Sequence, residues 1–278
     1  MSILLVLLLL CFLLRAEVTM AAASAACRLF VTAVMPGLFP YMTLSLMLAS
    51  RVQRLRPGVL LLLGWGGGSP AGARLIRLCP GLTRREQMRL AVSCATMSPM
   101  FLLGTAGGWL GDVRAGVVCL VSVIAGGWLA GCAAAACTRR GDHWSPAPTS
   151  ERGMFPMSFG AAVEQSARTM LLVCGTMVML RVFAAHAGEI LPGALRLPVM
   201  TLLEVTTGTS AIAELPLPLA WRTALIAGAC GFGGMAILLQ NRAVLSPGLM
   251  PLGMQAAFQA LHGGISFLMA LGMMCMVG

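Results

Sequence analysis

The stretch GWGGGSPAGARLIRL, residues 64 to 78, interrupts an apolar run that begins at Pro57. Three consecutive glycines are followed by Ser69 and Pro70, and both glycine and proline disfavour a continuous helix. In a soluble protein this would be an ordinary surface loop. Its meaning here depends on the composition of the chain around it.

The composition is that of a membrane protein. Of the 278 residues, 58% are hydrophobic and only 10% are charged, whereas about a quarter of a soluble domain is charged. Apolar runs long enough to cross or half-cross a bilayer recur from end to end. The sequence therefore predicts an all-α polytopic membrane protein, whose first partner is the lipid bilayer. Residues Ser2 to Leu14 predict a short first helix, with a signal-peptide core as the alternative.

The charged residues give the orientation and exclude several functions. The net charge of +10 comes wholly from arginine, because the sequence has no lysine. Arginine collects in the cytoplasmic loops of membrane proteins, so we expect no nucleic-acid partner. The ten cysteines form no C-x-x-C pair, and no Ser-His-Asp arrangement stands out. We therefore expect no enzyme activity, no metal and no cofactor.

Three arginine clusters lie along the chain, one before the glycine break and two after it. They comprise Arg51, Arg54 and Arg56; Arg74, Arg77, Arg84, Arg85 and Arg89; and Arg139, Arg140 and Arg152. If all three face the cytoplasm, the segment from about 57 to 78 begins and ends on the same side. Its first arm of about ten residues spans roughly 15 Å of helix, half of the roughly 30 Å hydrocarbon core. The segment is therefore predicted to be a re-entrant hairpin, with Ser69 as N-cap and Pro70 at the first position of the return helix.

The same pattern recurs three times. A broken helix at about 86–105 is interrupted at Ser98 and Pro99. A second hairpin at about 198–216 is broken around Thr206, Thr207 and Gly208, and a second broken helix at about 221–240 is interrupted between Gly231 and Gly234. Counting spans places the second copy upside down relative to the first. Inverted repeats with discontinuous helices are typical of secondary transporters.

The predicted organisation is one membrane domain, 1–278, in two halves. The first half is 1–137, the second is 158–278, and a polar cytoplasmic linker, 138–157, joins them. Backbone that is not helical at membrane depth must be buried in protein or line a wet cavity. The breaks therefore predict where a small-molecule solute binds.

The substrate-binding candidates lie at these breaks. They are Gly67, Gly68, Ser69, Pro70, Gly72, Thr96, Ser98, Glu204, Thr206, Thr207, Gly208, Gly233, Gly234 and Gln240. Helix N-termini at the breaks favour an anionic solute. The alternative is that the small residues only permit close helix packing.

Glu204 is the leading charged candidate, because an ionisable group inside an apolar span is functional by default. The alternative is a structural hydrogen bond to loose backbone N–H groups. Glu164 and Arg168 are predicted to form an ion pair on one helix face, and Arg181 is predicted to extend toward the membrane surface.

Three further residues carry weaker predictions. Tyr41 would either stack on an aromatic solute or anchor packing, and His262 is a weaker polar candidate. Cys79 is predicted to lie on the cytoplasmic side, close to the aqueous surface.

Several fragments together resemble the YlbJ-type sporulation integral membrane proteins of the nucleoside-recognition (Gate) domain superfamily. The fragments are VMPGLFPYMTLSLML (34–48), GGGSPAGARL (66–75), LTRREQMRL (82–90), LLEVTTG (202–208), FGGMAILLQ (232–240) and ALHG (260–263). The chain departs from that family's pattern at Ser69, usually tyrosine, at the Ala-Thr-Met-Ser-Pro of 95–99, and at Thr207, usually asparagine. The resemblance implies a fold like that of concentrative nucleoside transporters. It also implies movement of a small solute, dipicolinic acid, across the forespore outer membrane during spore maturation.

These observations together predict a secondary transporter or facilitator for a small, anionic, heteroaromatic solute in a bacterial membrane. One alternative is a non-transporting integral membrane protein of spore assembly, and a further alternative is a nucleoside transporter. Na⁺ or H⁺ coupling, the direction of transport and a homo-oligomeric state stay open.

Overall fold

The computed structural model describes residues 2–51, 56–79, 81–138 and 156–277. Every regular element within these ranges is a helix, which confirms the predicted all-α class. Arg54, Arg139, Arg140 and Arg152, and with them residues 139–155 of the predicted linker, lie outside the described residues.

Fourteen α-helices and two π-helical segments make up the described part of the chain. The α-helices are α1 (Ser2–Leu14), α2 (Ala16–Leu29), α3 (Met35–Arg51), α4 (Pro57–Gly67), α5 (Ala71–Leu78), α6 (Arg84–Ser93), α7 (Gly107–Leu110), α8 (Val113–Ala136), α9 (Phe159–Ile190), α10 (Gly193–Leu203), α11 (Val205–Ala213), α12 (Leu219–Phe232), α13 (Gly234–Val244) and α14 (Leu252–Val277). The π-helical segments are Phe30–Val34, which joins α2 to α3, and Phe101–Ala106, which runs directly into α7.

Five helical stretches are long and apolar enough to cross a membrane. They are Ala16–Arg51, Val113–Ala136, Phe159–Ile190, Leu219–Val244 and Leu252–Met276. Each exceeds the roughly 20 residues that span the hydrocarbon core. The chain is thus an integral membrane protein with several spanning helices, as its composition predicts.

Polar side chains start the helices that follow loops. Thr83 and Glu86 form a capping box at the start of α6, each accepting a backbone N–H of the other. The Asp112 carboxylate accepts the N–H groups of Arg114 and Ala115 at the start of α8. These caps satisfy donors that have no partner inside the helix.

The first hairpin begins its return helix differently from the prediction. Gly68 has φ 63°, a left-handed conformation that only glycine adopts without strain. The residue before α5 is Pro70, and Ser69 makes no capping bond to the helix. Ser69 as N-cap is therefore wrong, because its hydroxyl is committed to another helix, as described below.

The second hairpin breaks earlier than predicted. The helix stops at Glu204, and Thr206, Thr207 and Gly208 all lie within α11. The reason is that the Glu204 side chain supplies an N-cap, so the helix can restart immediately after it. The interruption predicted between Gly231 and Gly234 lies at Gly233, with φ 74°.

The first broken helix likewise breaks earlier than expected. Helix α6 ends at Ser93, and the chain is helical again from Pro99 onward. Its interruption thus covers residues 94–98, so Ser98 lies at its end while Pro99 begins the next helical segment.

The buried core has two apolar clusters that meet at α8. One joins α3, α4, α5, α6, α9 and α13, and the other joins the Phe101–Ala106 segment with α8, α11, α12 and α14. Glycines permit close contact between helices in the second cluster. A Cβ on Gly126 of α8 or Gly231 of α12 would come within 2.5 and 2.6 Å of the Ser266 hydroxyl on α14.

Candidate site at the helix breaks

A small internal cavity of about 40 Å³ lies where the helix breaks meet. It is lined by Val34, Ser69, Met97, Val173, Met177, Glu204, Val205, Thr206, Ala236, Ile237 and Gln240. Four of the predicted site residues, Ser69, Glu204, Thr206 and Gln240, are thereby brought together. They come from both hairpins and from the helix that follows the last break.

Glu204 is the charged residue in the lining of this cavity, and 1% of its surface is exposed. Its two carboxylate oxygens accept the backbone N–H groups of Thr206 at 3.0 Å and Thr207 at 2.7 Å. Glu204 thus lines the cavity, as a solute-binding role requires, and it also caps α11, as the structural alternative requires. A charge is stabilised at this position because the N-terminus of a helix carries partial positive charge.

Arg181 is a basic neighbour of Glu204 in space, although the two residues lie far apart in the sequence. Its guanidinium donates a 2.7 Å hydrogen bond to the Thr207 hydroxyl and is attracted to the Glu204 carboxylate. The predicted extension of Arg181 toward the membrane surface is therefore wrong. An acid in the protein interior and the hydroxyl beside it hold the side chain half-buried.

Ser69 and Asn241 connect the two halves of the chain. The Ser69 hydroxyl donates to the Asn241 side-chain oxygen at 2.5 Å. Asn241 is the only asparagine in the sequence, and it is 2% exposed. Sequence reasoning missed it, although a lone amide next to Gln240 within an apolar span was a usable signal.

Gln240 is held by α9. Its amide donates to the Thr176 hydroxyl at 2.7 Å, so the side chain has a fixed orientation beside the cavity. Buried amides are normally satisfied in this way, since an unpaired one is costly.

The predicted glycines serve close backbone contact at the breaks. A Cβ on Gly68 would lie 2.6 Å from the Ser98 backbone nitrogen, and one on Gly208 would lie 2.5 Å from Thr201 Cα. A Cβ on Gly234 would lie 3.1 Å from the Leu202 carbonyl. Gly68 and Gly234 thus lie where a hairpin packs against the broken helix that follows it, whereas Gly208 lies inside α11 at its contact with α10. None of the three lines the cavity.

The remaining predicted glycines face side chains. Gly67 lies against Tyr41 and Ala71, whereas Gly72 lies against Cys94. A Cβ on Gly233 would meet Ile237 at 2.9 Å.

Three further predicted residues lie at the first hairpin tip and at the break after α6, namely Pro70, Thr96 and Ser98. The Thr96 carbonyl accepts the Ser69 N–H at 2.7 Å, which fixes the hairpin tip on the broken helix. The Ser98 hydroxyl accepts the Phe101 N–H at 3.3 Å and so caps the next helical segment. Pro70 is buried before α5. None of the three lines the cavity.

Two weaker candidates have packing contacts. The Tyr41 hydroxyl donates to the Leu63 carbonyl at 3.1 Å, and its ring lies against Gly66 and Gly67. His262 is 1% exposed and contacts the Val123 carbonyl through Nε2 at 2.8 Å. Both residues lie outside the lining of the cavity.

The predicted ion pair between Glu164 and Arg168 is confirmed at 2.8 Å. Both side chains are mostly exposed, so the pair contributes little to stability.

Comparisons with family models, with curated proteins and with solved structures found no match to this chain.

Proposed function

We propose that the protein is a secondary transporter or facilitator for a small, anionic, heteroaromatic solute of the dipicolinic acid type in a bacterial membrane. The proposal extends to spore maturation, through the sequence resemblance. The observation that carries it is the cavity in which side chains from both hairpin breaks meet Gln240. Burying polar groups among apolar helices costs free energy unless the groups are hydrogen-bonded. Their presence here therefore indicates a structural role or a role in binding a solute.

The proposed architecture is an inverted repeat of a re-entrant hairpin followed by a broken helix. Helix α5, the return arm of the first hairpin, packs against α13 of the second half. Helix α11, the return arm of the second hairpin, packs against α7 and the Phe101–Ala106 segment of the first half. Each hairpin thus contacts the helix that follows the break of the opposite half, an exchange that a two-fold inverted repeat would produce.

The anionic character of the solute is supported by arginine rather than by the α11 helix terminus. Glu204 already accepts two N–H groups at that terminus, which leaves little attraction there for a second anion. The Arg181 guanidinium beside it can bind a carboxylate with two parallel hydrogen bonds.

The cavity in this conformation is closed around very little space. A volume of about 40 Å³ has room for no more than a few water molecules, whereas sites for drug-sized ligands occupy about 300 Å³ or more. Transport therefore requires a second conformation in which the breaks separate.

A second candidate function is a non-transporting membrane protein of spore assembly. It is favoured by the direct backbone contacts at Gly68 and Gly208, which would serve a rigid scaffold equally well. A nucleoside transporter is suggested by the superfamily resemblance alone. The uptake experiment described next tests this alternative as well.

Uptake by vesicles containing the purified protein tests the proposal. We expect dipicolinate uptake above that of protein-free vesicles and no comparable uptake of uridine. Uridine uptake alone would favour the nucleoside transporter, and uptake of neither would favour the scaffold.

A matched pair of variants connects uptake to the cavity. Gln240→Leu removes a cavity amide and should lower uptake per folded protein by roughly tenfold, as the loss of one hydrogen bond predicts. Gln255→Leu removes another buried amide, which contacts the Leu238 carbonyl outside the cavity, and it should leave uptake per folded protein unchanged. Equal uptake by both variants would exclude the cavity as the solute site.

A further inference from the structure

Three separate cavities border α9 along a stripe of residues spaced four apart. Thr169 lines a pocket of about 230 Å³, Val173 and Met177 line the central cavity, and Arg181 lines a pocket of about 730 Å³. On a helix each step of four residues rises about 6 Å and turns by about 40°, so these four residues follow a stripe that winds about 120° around α9 over about 18 Å. The three cavities are therefore arranged in series along the helix.

The other walls continue in the same series. On α13, Gln240 lines the central cavity and Val244 lines the Thr169 pocket. On α11, Thr206 lines the central cavity and Ala211 lines the Arg181 pocket. Each of these helices thus borders two neighbouring cavities.

Each end of the series is closed by a hydrogen bond between an arginine and a threonine. At one end, Arg74 of α5 donates to the Thr169 hydroxyl of α9 at 3.2 Å. At the other end, Arg181 of α9 donates to the Thr207 hydroxyl of α11 at 2.7 Å. Helix α9 therefore links both hairpins through the same kind of contact.

Arginine side chains line both outer pockets. Arg74, Arg77 and Arg168 line the Thr169 pocket, where Arg168 is paired with Glu164. Arg181, Arg196 and Glu189 line the larger pocket, where Glu189 is paired with Arg15 and Arg181 is attracted to Glu204. Guanidinium groups bind carboxylate and phosphate through two parallel hydrogen bonds.

We infer that the α9 stripe formed by Thr169, Val173, Met177 and Arg181 is the wall of a path for a small carboxylate-bearing anion. This inference deepens the proposed transport function and rests on it. An anion that binds Arg181 competes with the Thr207 hydroxyl, a weaker acceptor, and so weakens the contact between α9 and the second hairpin. Val173 and Met177 form the closed middle of the path.

Cysteine substitutions on two faces of α9 test the inference. Val173→Cys and Met177→Cys place a thiol on the path, while Leu171→Cys and Met179→Cys place one on the exposed apolar face. The protein in vesicles is treated with an anionic or a cationic methanethiosulfonate of similar size. Peptide mass spectrometry then measures modification at each position, so the native cysteines need not be removed.

We expect the path positions to react at least tenfold faster than the lipid-facing positions, and faster with the anionic reagent. Pyridine-2,6-dicarboxylate should slow this reaction, whereas its neutral diamide should not. If Met177→Cys fails to fold, Val173→Cys gives the same comparison one turn away.

Equal reaction on both faces, a faster cationic reaction, or no protection by the dicarboxylate would each overturn the path. Modification is measured without transport, so the two proposals fail separately. If uptake is absent while the path cysteines react and are protected, the proposed transport function is wrong. If uptake occurs while the path cysteines do not react, the proposed path is wrong.

Discussion

Ser69, in the first hairpin break, donates a 2.5 Å hydrogen bond to Asn241, which lies 172 residues further along the chain. The bond joins the first half to α13 of the second half beside the central cavity. Asn241 is 2% exposed, so its side-chain oxygen is a buried acceptor that this bond satisfies.

Ser69→Ala should therefore destabilise the protein by about 1–3 kcal/mol, the cost of leaving a buried acceptor unpaired. Thermal unfolding in detergent measures the change. A double-mutant cycle with Asn241→Ala isolates the pair and should give a coupling of about 0.5–1.5 kcal/mol. Additive effects within error would show that the bond contributes nothing.

Glu204→Gln should lower both stability and uptake. An amide has one oxygen acceptor where the carboxylate has two, so either the Thr206 or the Thr207 N–H loses its partner. Arg181 also loses its counter-charge. We expect a loss of about 1–3 kcal/mol in the free energy of unfolding.

The same substitution at Glu214 is the control, because this residue is exposed and follows the other end of α11. Glu214→Gln should not destabilise, since a negative charge near a helix C-terminus is unfavourable. Wild-type stability with lost uptake in Glu204→Gln would assign the carboxylate to the solute alone.

Gly68→Ala, at the first break, and Gly208→Ala, at the contact of α11 with α10, should both prevent normal helix packing. The new Cβ atoms would lie 2.6 and 2.5 Å from neighbouring backbone atoms, and Gly68 also has a φ of 63°. Gly175→Ala on α9 is the control, since no atom lies within 4 Å of its added Cβ. Folded yield and uptake per folded protein measure the effect.

We expect both Gly68→Ala and Gly208→Ala to lose most of their folded yield, while Gly175→Ala folds normally. Wild-type yield for both variants, with uptake lost selectively, would instead place the solute on the bare backbone at these glycines.

Cys79 should resist thiol reagents at neutral pH. The sequence places it close to the aqueous surface, but the side chain is only 8% exposed. Burial raises the pKa of the Cys79 thiol to about 11, so only about a thousandth is the reactive thiolate at pH 8. Maleimide labelling should increase about tenfold per pH unit until the pH approaches that pKa.

Cys137 is the internal comparison, because it is exposed and follows α8. It should label faster than Cys79 under every neutral condition. Labelling of Cys79 at the rate of Cys137 at pH 7 would contradict the buried position.

Gln259→Met should leave stability unchanged or raise it by about 1 kcal/mol. The Gln259 side chain is 3% exposed, and neither of its amide atoms has a hydrogen-bond partner within the described residues. Methionine has a similar length and removes the unpaired polar atoms. Gln255→Met, which loses a 3.2 Å bond to the Leu238 carbonyl, should be destabilising instead. A marked loss of stability in Gln259→Met would reveal an acceptor or a bound water at this amide.

Much of the architecture is predictable from apolar periodicity, glycine and proline. These signals place the first hairpin at 57–78, and the structure has α4 and α5 there. They fail at the second hairpin, because propensity favours a break at Thr206 to Gly208 while a capping carboxylate moves it to Glu204. The glycine inside α11 serves contact with Thr201, a role that a sequence pattern does not distinguish from a break.

The sequence by itself determined that this chain is a helical membrane protein, since length and composition leave its apolar segments no other stable environment. It also determined that Glu204 is exceptional, as a carboxylate within an apolar arm. Only the tertiary structure decided the partners of these polar groups. Ser69 contacts Asn241, and Arg181 contacts Thr207 and is attracted to Glu204, because helices far apart in sequence pack side by side. Hydrogen bonds and charges act over a few ångströms of space, and separation along the chain carries almost no information about that distance.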